Sequence, residues 1–231
     1  MITNKSIVLH FYKFSKSSLI SKFLTEKNGL QSVVIRNANS KKSNKNISLL
    51  HPLNIVNLVV TNEKKNKLQF VKEINYLNPL NLLLTNMSSK FISMFVSEVL
   101  IKVLIEGNKD SELFNFIEQQ SIIINNRILD KNYPLIFLTQ LSSYLGFYPN
   151  MENSHFPYFD MENACFTKSK VSISICGKEK EMFLKLLNND KVLIPYDLRK
   201  SLMKCIANYY KLQNFNLEPL KSYEIIESLR R

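Results

Sequence analysis

Ile35-Arg36-Asn37-Ala38-Asn39-Ser40-Lys41-Lys42-Ser43-Asn44-Lys45-Asn46-Ile47-Ser48-Leu49-Leu50-His51-Pro52 is the stretch on which the reading of this chain turns. It carries Arg36, Lys41, Lys42 and Lys45 and no acid. A run this polar stays at the surface, where water satisfies its backbone groups. Its density of cations attracts polyanions. Taken alone, it fits a solvated surface loop better than the rim of a nucleic-acid groove. What flanks it decides between the two.

On its N-terminal side stand three strand-like runs. Ser6 to Tyr12 alternates, with Ile7, Leu9 and Phe11 on one face and Val8, His10 and Tyr12 on the other. After the basic turn Lys13 to Ser18, Leu19 to Thr25 sets Leu19 and Phe23 opposite Ile20, Lys22 and Leu24. Lys27-Asn28-Gly29 is a hairpin signal, because Asn and Gly accept positive φ readily. Leu30 to Arg36 sets Val33 and Ile35 opposite Val34. On the C-terminal side, Ile47 to Leu50 has room for one helical turn before Pro52. Leu53 to Thr61 and Leu68 to Tyr76 are then two further strands, joined by the turn Asn62 to Asn66. Three strands, a connection with a helical turn, then two strands: this is the element order of an OB-fold, a small Greek-key barrel that often binds single strands. An SH3-like barrel can be drawn from a similar string, but the long basic connection and the helical turn favour the OB-fold.

At Asn78-Pro79 the periodicity changes, and a domain boundary is expected there, giving domains 1–78 and 79–231. Asn86 offers an N-cap, and Ser89 to Glu106 is apolar around most of its circumference, the pattern of a buried helix. Asp110 caps the next helix, whose buried face is Leu113, Phe114, Ile117 and Ile124. Tyr133 to Leu145 is a third, closed by Gly146. The segment 147–177 is irregular, with a small hairpin expected around Asp160 to Asn163. Lys178 to Asn188, Pro195 to Leu212 and Ser222 to Leu229 complete a mainly α-helical second domain. The expected class is therefore α+β, an N-terminal OB-fold barrel followed by helices.

The net charge of +12 is unevenly placed. Residues 1–80 hold 13 Lys and Arg against 3 acids, whereas residues 81–231 hold 18 against 16. Compositional bias towards Lys would raise it everywhere; only the second part balances it with acids. Concentrated positive charge of this kind engages phosphate backbones and releases their counterions. The three cysteines, Cys165, Cys176 and Cys205, contain no C-x-x-C and are read as reduced structural thiols. No secretory leader and no membrane-spanning run is evident, so a cytoplasmic protein is expected. No P-loop or dinucleotide loop can be built from four scattered glycines, and no G-x-S-x-G or H-E-x-x-H motif occurs. His10, His51 and His155 have no second ligand at a metal-type spacing, and Asp160 and Glu162 are read as solvated turn residues. No enzymatic step, cofactor or metal is expected.

The candidate nucleic-acid contacts follow from charge and ring placement. Tyr12 and Phe14, beside Lys13 and Lys16, are stacking candidates. Phe70 and Tyr76 also offer rings, whereas Phe11 and Phe23, in phase with aliphatic neighbours, are expected in the core. Arg36, Lys41, Lys42 and Lys45 supply one cationic cluster; Lys64 and Lys65, with Lys67, supply a second at the turn between strands four and five.

Several short signatures, in order and nearly end to end, resemble the RecO recombination mediators. Ile7-Val8-Leu9, Ser17-Ser18-Leu19-Ile20, Phe23-Leu24-Thr25-Glu26 and Gly29-Leu30 resemble that family's opening strands. Arg36 with Ser40-Lys41-Lys42-Ser43 resembles its "R-G-A-R-S-K-K-S" stretch, and His51-Pro52-Leu53 its "Q-P-L". Leu145-Gly146-Phe147-Tyr148-Pro149-Asn150, Tyr209-Tyr210-Lys211-Leu212 and Leu220-Lys221-Ser222 resemble its C-terminal signatures. The resemblance implies an OB domain and a helical domain, and a non-enzymatic role in the bacterial cytoplasm and nucleoid. That role is to bind single- and double-stranded DNA, anneal strands and, with RecR, help load RecA onto gaps coated by the single-stranded-DNA-binding protein. The helical domain would capture that protein's acidic C-terminal tail, and the RecA filament would be an indirect partner. Two departures stand out. Asn37 and Asn39 replace Gly and Arg, removing one cation and lowering the expected DNA affinity. Met151 to Phe166 holds only Cys165 where many members carry four zinc-binding cysteines, so zinc is not expected. The competing reading is a protein-interaction adaptor whose basic barrel binds an acidic protein tail. A nuclease would need clustered carboxylates, and the barrel half contains no Asp.

Overall fold

The computed structural model describes residues 2–36, 47–61, 69–77, 85–190 and 192–228. Five strands, β1 (Ile2–Lys13), β2 (Ser18–Thr25), β3 (Gly29–Arg36), β4 (Ile55–Val60) and β5 (Gln69–Tyr76), close into a barrel of order β1-β2-β3-β5-β4. All neighbours are antiparallel except β3 and β5, which run parallel through Val33↔Gln69 and Val34↔Phe70. This is an OB-type barrel. Its core is Val8, Phe23, Val33, Ile35, Leu49, Leu50, Val56, Leu58, Val60 and Ile74. The i→i+3 bond from Leu50 N to Ile47 O (3.0 Å) makes the turn expected there.

The register corrects one expectation. A bulge between Val8 and His10 inserts a residue into β1. Directly opposed residues of an antiparallel pair share a face. Phe11 therefore comes to share a face with its partner Ser21, between Leu19 and Phe23, instead of staying in phase with Ile7 and Leu9. It stands at the mouth of the barrel and is 37% exposed, not buried in the core. Phe23 is fully buried, as its phase implied.

Two compact units comprise residues 1–129 and 130–231. In the first, helices α1 (Met87–Val103) and α2 (Ser111–Asn126) accompany the barrel. The expected break at Asn78-Pro79 lies outside the described residues, and the first compact unit runs past it. The physical reason is that the outer face of β1 and β3 is apolar and needs a cover. Ile7, Leu9 and Leu30 are buried although they are not part of the barrel core, and α1 packs against β1. Ser97 Oγ donates to Leu9 O, Glu106 bridges to Leu30, and Lys5 pairs with Glu118 on α2. Both helices start where capping side chains allow: Asn86 Oδ1 accepts from Ser89 N at 3.0 Å, and Asp110 Oδ1 from Leu113 N at 2.9 Å.

The second unit holds α3 (Tyr133–Tyr144), a three-stranded sheet β7-β6-β8, and helices α4 (Gly177–Leu187), α5 (Tyr196–Leu212) and α6 (Lys221–Ser228). The sheet strands are β6 (Tyr158–Asp160), β7 (Cys165–Thr167) and β8 (Ser174–Cys176). The segment read as irregular is thus partly sheet, and its hairpin turns at Asp160, whose carboxylate accepts from Glu162 N, Asn163 N and Asn163 Nδ2. Phe159 packs between Phe166, Phe183 and Tyr209, so an aromatic core holds the sheet onto α4 and α5. The Tyr209 hydroxyl donates to Phe147 O and the Tyr210 hydroxyl to Leu138 O (2.6 Å), tying α5 to the stretch after α3 and to α3 itself. Arg199 and Glu227 form a buried bidentate pair, and Arg199 Nη1 also donates to Ile194 O at 3.1 Å.

Candidate nucleic-acid interface

The outer face of the barrel has two halves. One lies under α1. On the other half the registers line up one row across four strands: Tyr12↔Ile20, Ile20↔Val34 and Val34↔Phe70. Ile20 and Val34 are buried in the middle of this row, while Tyr12 at its edge is 44% exposed. Arg36, two residues beyond Val34 and so on the same face, lays its guanidinium over the Phe70 ring, 3.5 Å from the centroid. The next row is His10↔Lys22↔Ser32. His10 stacks loosely on Tyr12 (6.3 Å between centroids), and Lys22 Nζ lies 3.7 Å from Glu106, which also accepts from Ser32 Oγ. The row therefore sets an exposed phenol at one end and a guanidinium-capped ring at the other, with the buried Ile20 and Val34 between them and a cation along its margin.

The barrel end beyond this row holds the basic β1–β2 turn. The β1–β2 connection is a tight turn closed by Phe14 N→Ser18 O (3.0 Å) and Ser15 N→Ser18 O (3.1 Å). It holds Lys13, Phe14 and Lys16, and Phe14 is 59% exposed. By the strand directions, Lys13, Ser18 and Arg36 stand at this same end; Thr61 and Gln69 stand towards the other, since Ile2 opposes Val60 and β5 starts opposite Val33 and runs parallel to β3. Lys41, Lys42 and Lys45, with Asn37 and Asn39, lie outside the described residues, as do Lys64, Lys65 and Lys67. Arg36, from which the first of those connections leaves, is at the end just described; Thr61, from which the second leaves, is not. Among residues 1–62 the one acid is Glu26, placed by the β2–β3 hairpin at the opposite end. The sequence reading named Tyr12, Phe14, Lys13, Lys16 and Arg36 as candidates, and the structure sets them at one end of the barrel. That reading missed the pairing of Arg36 with Phe70 and the edge positions of His10 and Lys22, which only the cross-strand register reveals.

In the second unit, a groove of about 450 Å³ between α5 and α6 is lined by Tyr196, Lys200, Met203, Lys204, Leu220 and Tyr223, among others. Among the described residues, no group of three or more His, Cys, Asp or Glu side chains converges as a metal site would require. The Cys205 thiol is pushed up, chiefly by burial and further by the neighbouring Glu179 and Cys176. No helix of the described residues is long and apolar enough to cross a membrane.

Comparison with known proteins places this arrangement. Residues 1–80 match the family model described as recombination protein O N terminal. The chain is 31% identical over 234 residues to the DNA repair protein RecO of Flavobacterium johnsoniae, covering 99% of this chain and 98% of that one. The chain belongs to the RecO family. The match to RecO of Flavobacterium psychrophilum is 30% over 99% of this chain and 98% of that one. That to RecO of Bacteroides fragilis is 28% over 96% of each. These alignments run through both units, so the resemblance noted in the short signatures is a property of the whole chain.

Proposed function

We propose that this chain is a DNA repair and recombination mediator that binds single-stranded DNA across the barrel face carrying Tyr12 and Phe70, with no chemical step of its own. The observation that carries this reading is the row Tyr12–Ile20–Val34–Phe70 with Arg36 over Phe70, beside the basic β1–β2 turn. Bases stack on exposed rings and on guanidinium planes without regard to sequence, while Lys13, Lys16 and the lysines of both connections meet the phosphates. Such a face also touches the backbone of duplex DNA, though without the stacking term. A protein that holds unstacked single strands by charge and ring contact leaves base edges free to pair, which is what annealing and handover to RecA together with RecR require. Being named DNA repair proteins, the curated relatives support the repair role. The bacterial cytoplasm and nucleoid are where it would be exercised.

One observation favours an added protein contact. The α5–α6 groove has an apolar floor of Met203, Leu220 and Tyr223, and its charged lining sets Lys200 and Lys204 against Glu218, Glu224 and Glu227. The acidic tail of the single-stranded-DNA-binding protein would lie on the apolar floor along the lysine side, and weaker capture of an acidic peptide by K200A/K204A would locate the contact there.

The test is a titration of mixed-base single strands at several salt concentrations. Log affinity should fall against log salt with a slope of about −0.7 per phosphate neutralised. Unrelated mixed sequences should bind within a few-fold of one another. A salt-independent affinity, or a roughly hundredfold preference for one short sequence, contradicts the reading.

A further inference from the structure

We infer that the second unit carries its own polyanion surface, at one end of the β7-β6-β8 sheet, and that its ligand is a second nucleic-acid strand. The inference rests on the reading of the barrel as a single-strand site. Tyr158 opposes Thr167 on one side and Cys176 on the other. Because both pairings are antiparallel, the chain before Tyr158, the chain after Thr167 and the chain after Cys176 all emerge at the same end of the sheet. That end brings together His155, Phe156, Lys168, Lys170 and Lys178 from three separate stretches. Lys168, Lys170 and Lys178 are exposed. From Asn163 to Lys178 the sequence holds these three cations and no acid. Elsewhere the unit nearly balances: residues 130–231 hold 14 Lys and Arg against 11 acids, so this small surface equals the entire excess.

The cluster is also built like a nucleic-acid contact, not merely charged. Lys168 Nζ stands 5.1 Å from the Phe156 ring centroid, and His155 meets the same ring edge-on at 4.5 Å. Lys180 holds the turn beneath, donating to Ser154 O at 2.6 Å, so the ring-bearing stretch is pinned in place. Of the nearby acids, Glu179 accepts from Ser201 Oγ at 2.9 Å and is engaged with α5, while the exposed Glu181 faces Lys180. Cations spaced along a short edge and an aromatic pair beside them suit an extended phosphate chain with bases at hand. A chain that holds one strand on its barrel and another on this edge has the two binding sites that pairing complementary strands requires.

The experiment counts strands on the full chain. The probe is an oligothymidine of about ten nucleotides, within the footprint of one barrel site. Native mass spectrometry and fluorescence anisotropy at low salt compare the natural chain with K168A/K170A/K178A and with the corresponding triple Lys→Arg chain. The barrel variant Y12A/R36A and the combination of both sets complete the series. The natural chain and the Lys→Arg chain should hold two strands. The triple Ala variant and the barrel variant should each hold one, and the combination none. Affinity for the second strand should fall at least tenfold in the triple Ala variant, whose lysines are exposed and whose fold stays intact. Retention of both strands by the triple Ala variant, or its capture of an acidic peptide in place of the second strand by the natural chain, overturns the inference. If instead the barrel variant keeps both strands while the triple Ala variant loses one, the barrel reading fails and the sheet-edge site stands alone.

Discussion

Replacing Gly29 by Ala tests how the first unit is held together. Gly29 turns the β2–β3 hairpin at φ +66, and a Cβ built on it would lie 1.9 Å from Asn108 O and 2.6 Å from Asn108 C. Both are backbone atoms, so no side chain can swing away. Gly107 has a similar φ of +79 but open space around it, with nothing within 4 Å. The left-handed conformation costs an L-residue about 1–2 kcal/mol, and loss of unfolded-state freedom returns about 0.4–1 kcal/mol. Gly107→Ala should therefore cost about 1 kcal/mol. Gly29→Ala must in addition push the 106–108 backbone off the hairpin. That strains or breaks the bond from Gly107 N to Leu30 O (2.9 Å) and the pairing of Leu30 with Glu106. One lost backbone bond is worth about 0.5–1.5 kcal/mol, and the relief of overlap adds to it, so a total of about 3 kcal/mol is expected. With a urea slope of about 2 kcal/mol/M, the midpoint should fall by about 1.5 M for Gly29→Ala and about 0.5 M for Gly107→Ala. Circular dichroism gives the midpoints, and amide exchange of β2, β3 and α1 shows where the loss falls. Equal midpoints for the two variants would refute the reasoning that the helices are seated on the barrel through this close approach.

Other consequences are open to direct measurement. Lys41→Ala with Lys42→Ala should weaken single-strand binding while changing stability by less than about 0.5 kcal/mol each, because surface substitutions of this kind are nearly neutral; unchanged binding at low salt would move the DNA path to Lys64 and Lys65. Glu227→Ala should destabilise the second unit by about 3–5 kcal/mol, since it strands the buried Arg199 guanidinium without its carboxylate. The double change to Met at 199 and Leu at 227 should cost clearly less; chemical denaturation of the two chains decides. Elemental analysis should find no stoichiometric zinc, because the Met151 to Phe166 segment offers Cys165 as its one thiol and Asp160 is committed to its own turn; one zinc per chain would contradict this.

Much of the fold was legible in the sequence because its signals are local. The strand alternation of β2 and β3, the hairpin at Gly29, the caps Asn86 and Asp110 and the buried face Leu113, Phe114, Ile117 and Ile124 each need only a few neighbouring residues to read. What the sequence hid depends on long-range pairing. The bulge at Val8/His10 shows no local mark, yet it moves Phe11 from the expected core to the barrel mouth. The Arg36–Phe70 stack requires β3 to run beside β5, two segments separated by the basic connection and β4. The all-round apolar character of α1 announced burial but not its partner, which is β1. The strands of the second unit are three residues long, too short for alternation to register.

The claim at the centre of this account is that the barrel face binds single-stranded DNA through Tyr12 and the Arg36–Phe70 pair. Its most direct test is the affinity of Tyr12→Ala and Arg36→Ala for a mixed-base single strand at low and moderate salt. Base–ring stacking is worth about 1–3 kcal/mol, so Tyr12→Ala should weaken binding about 5- to 150-fold with little change in salt slope. Arg36→Ala should also weaken it and make the slope shallower by about 0.7 if the guanidinium meets a phosphate. Affinity and slope indistinguishable from the natural chain in both variants would contradict the claim and place the DNA elsewhere on the molecule.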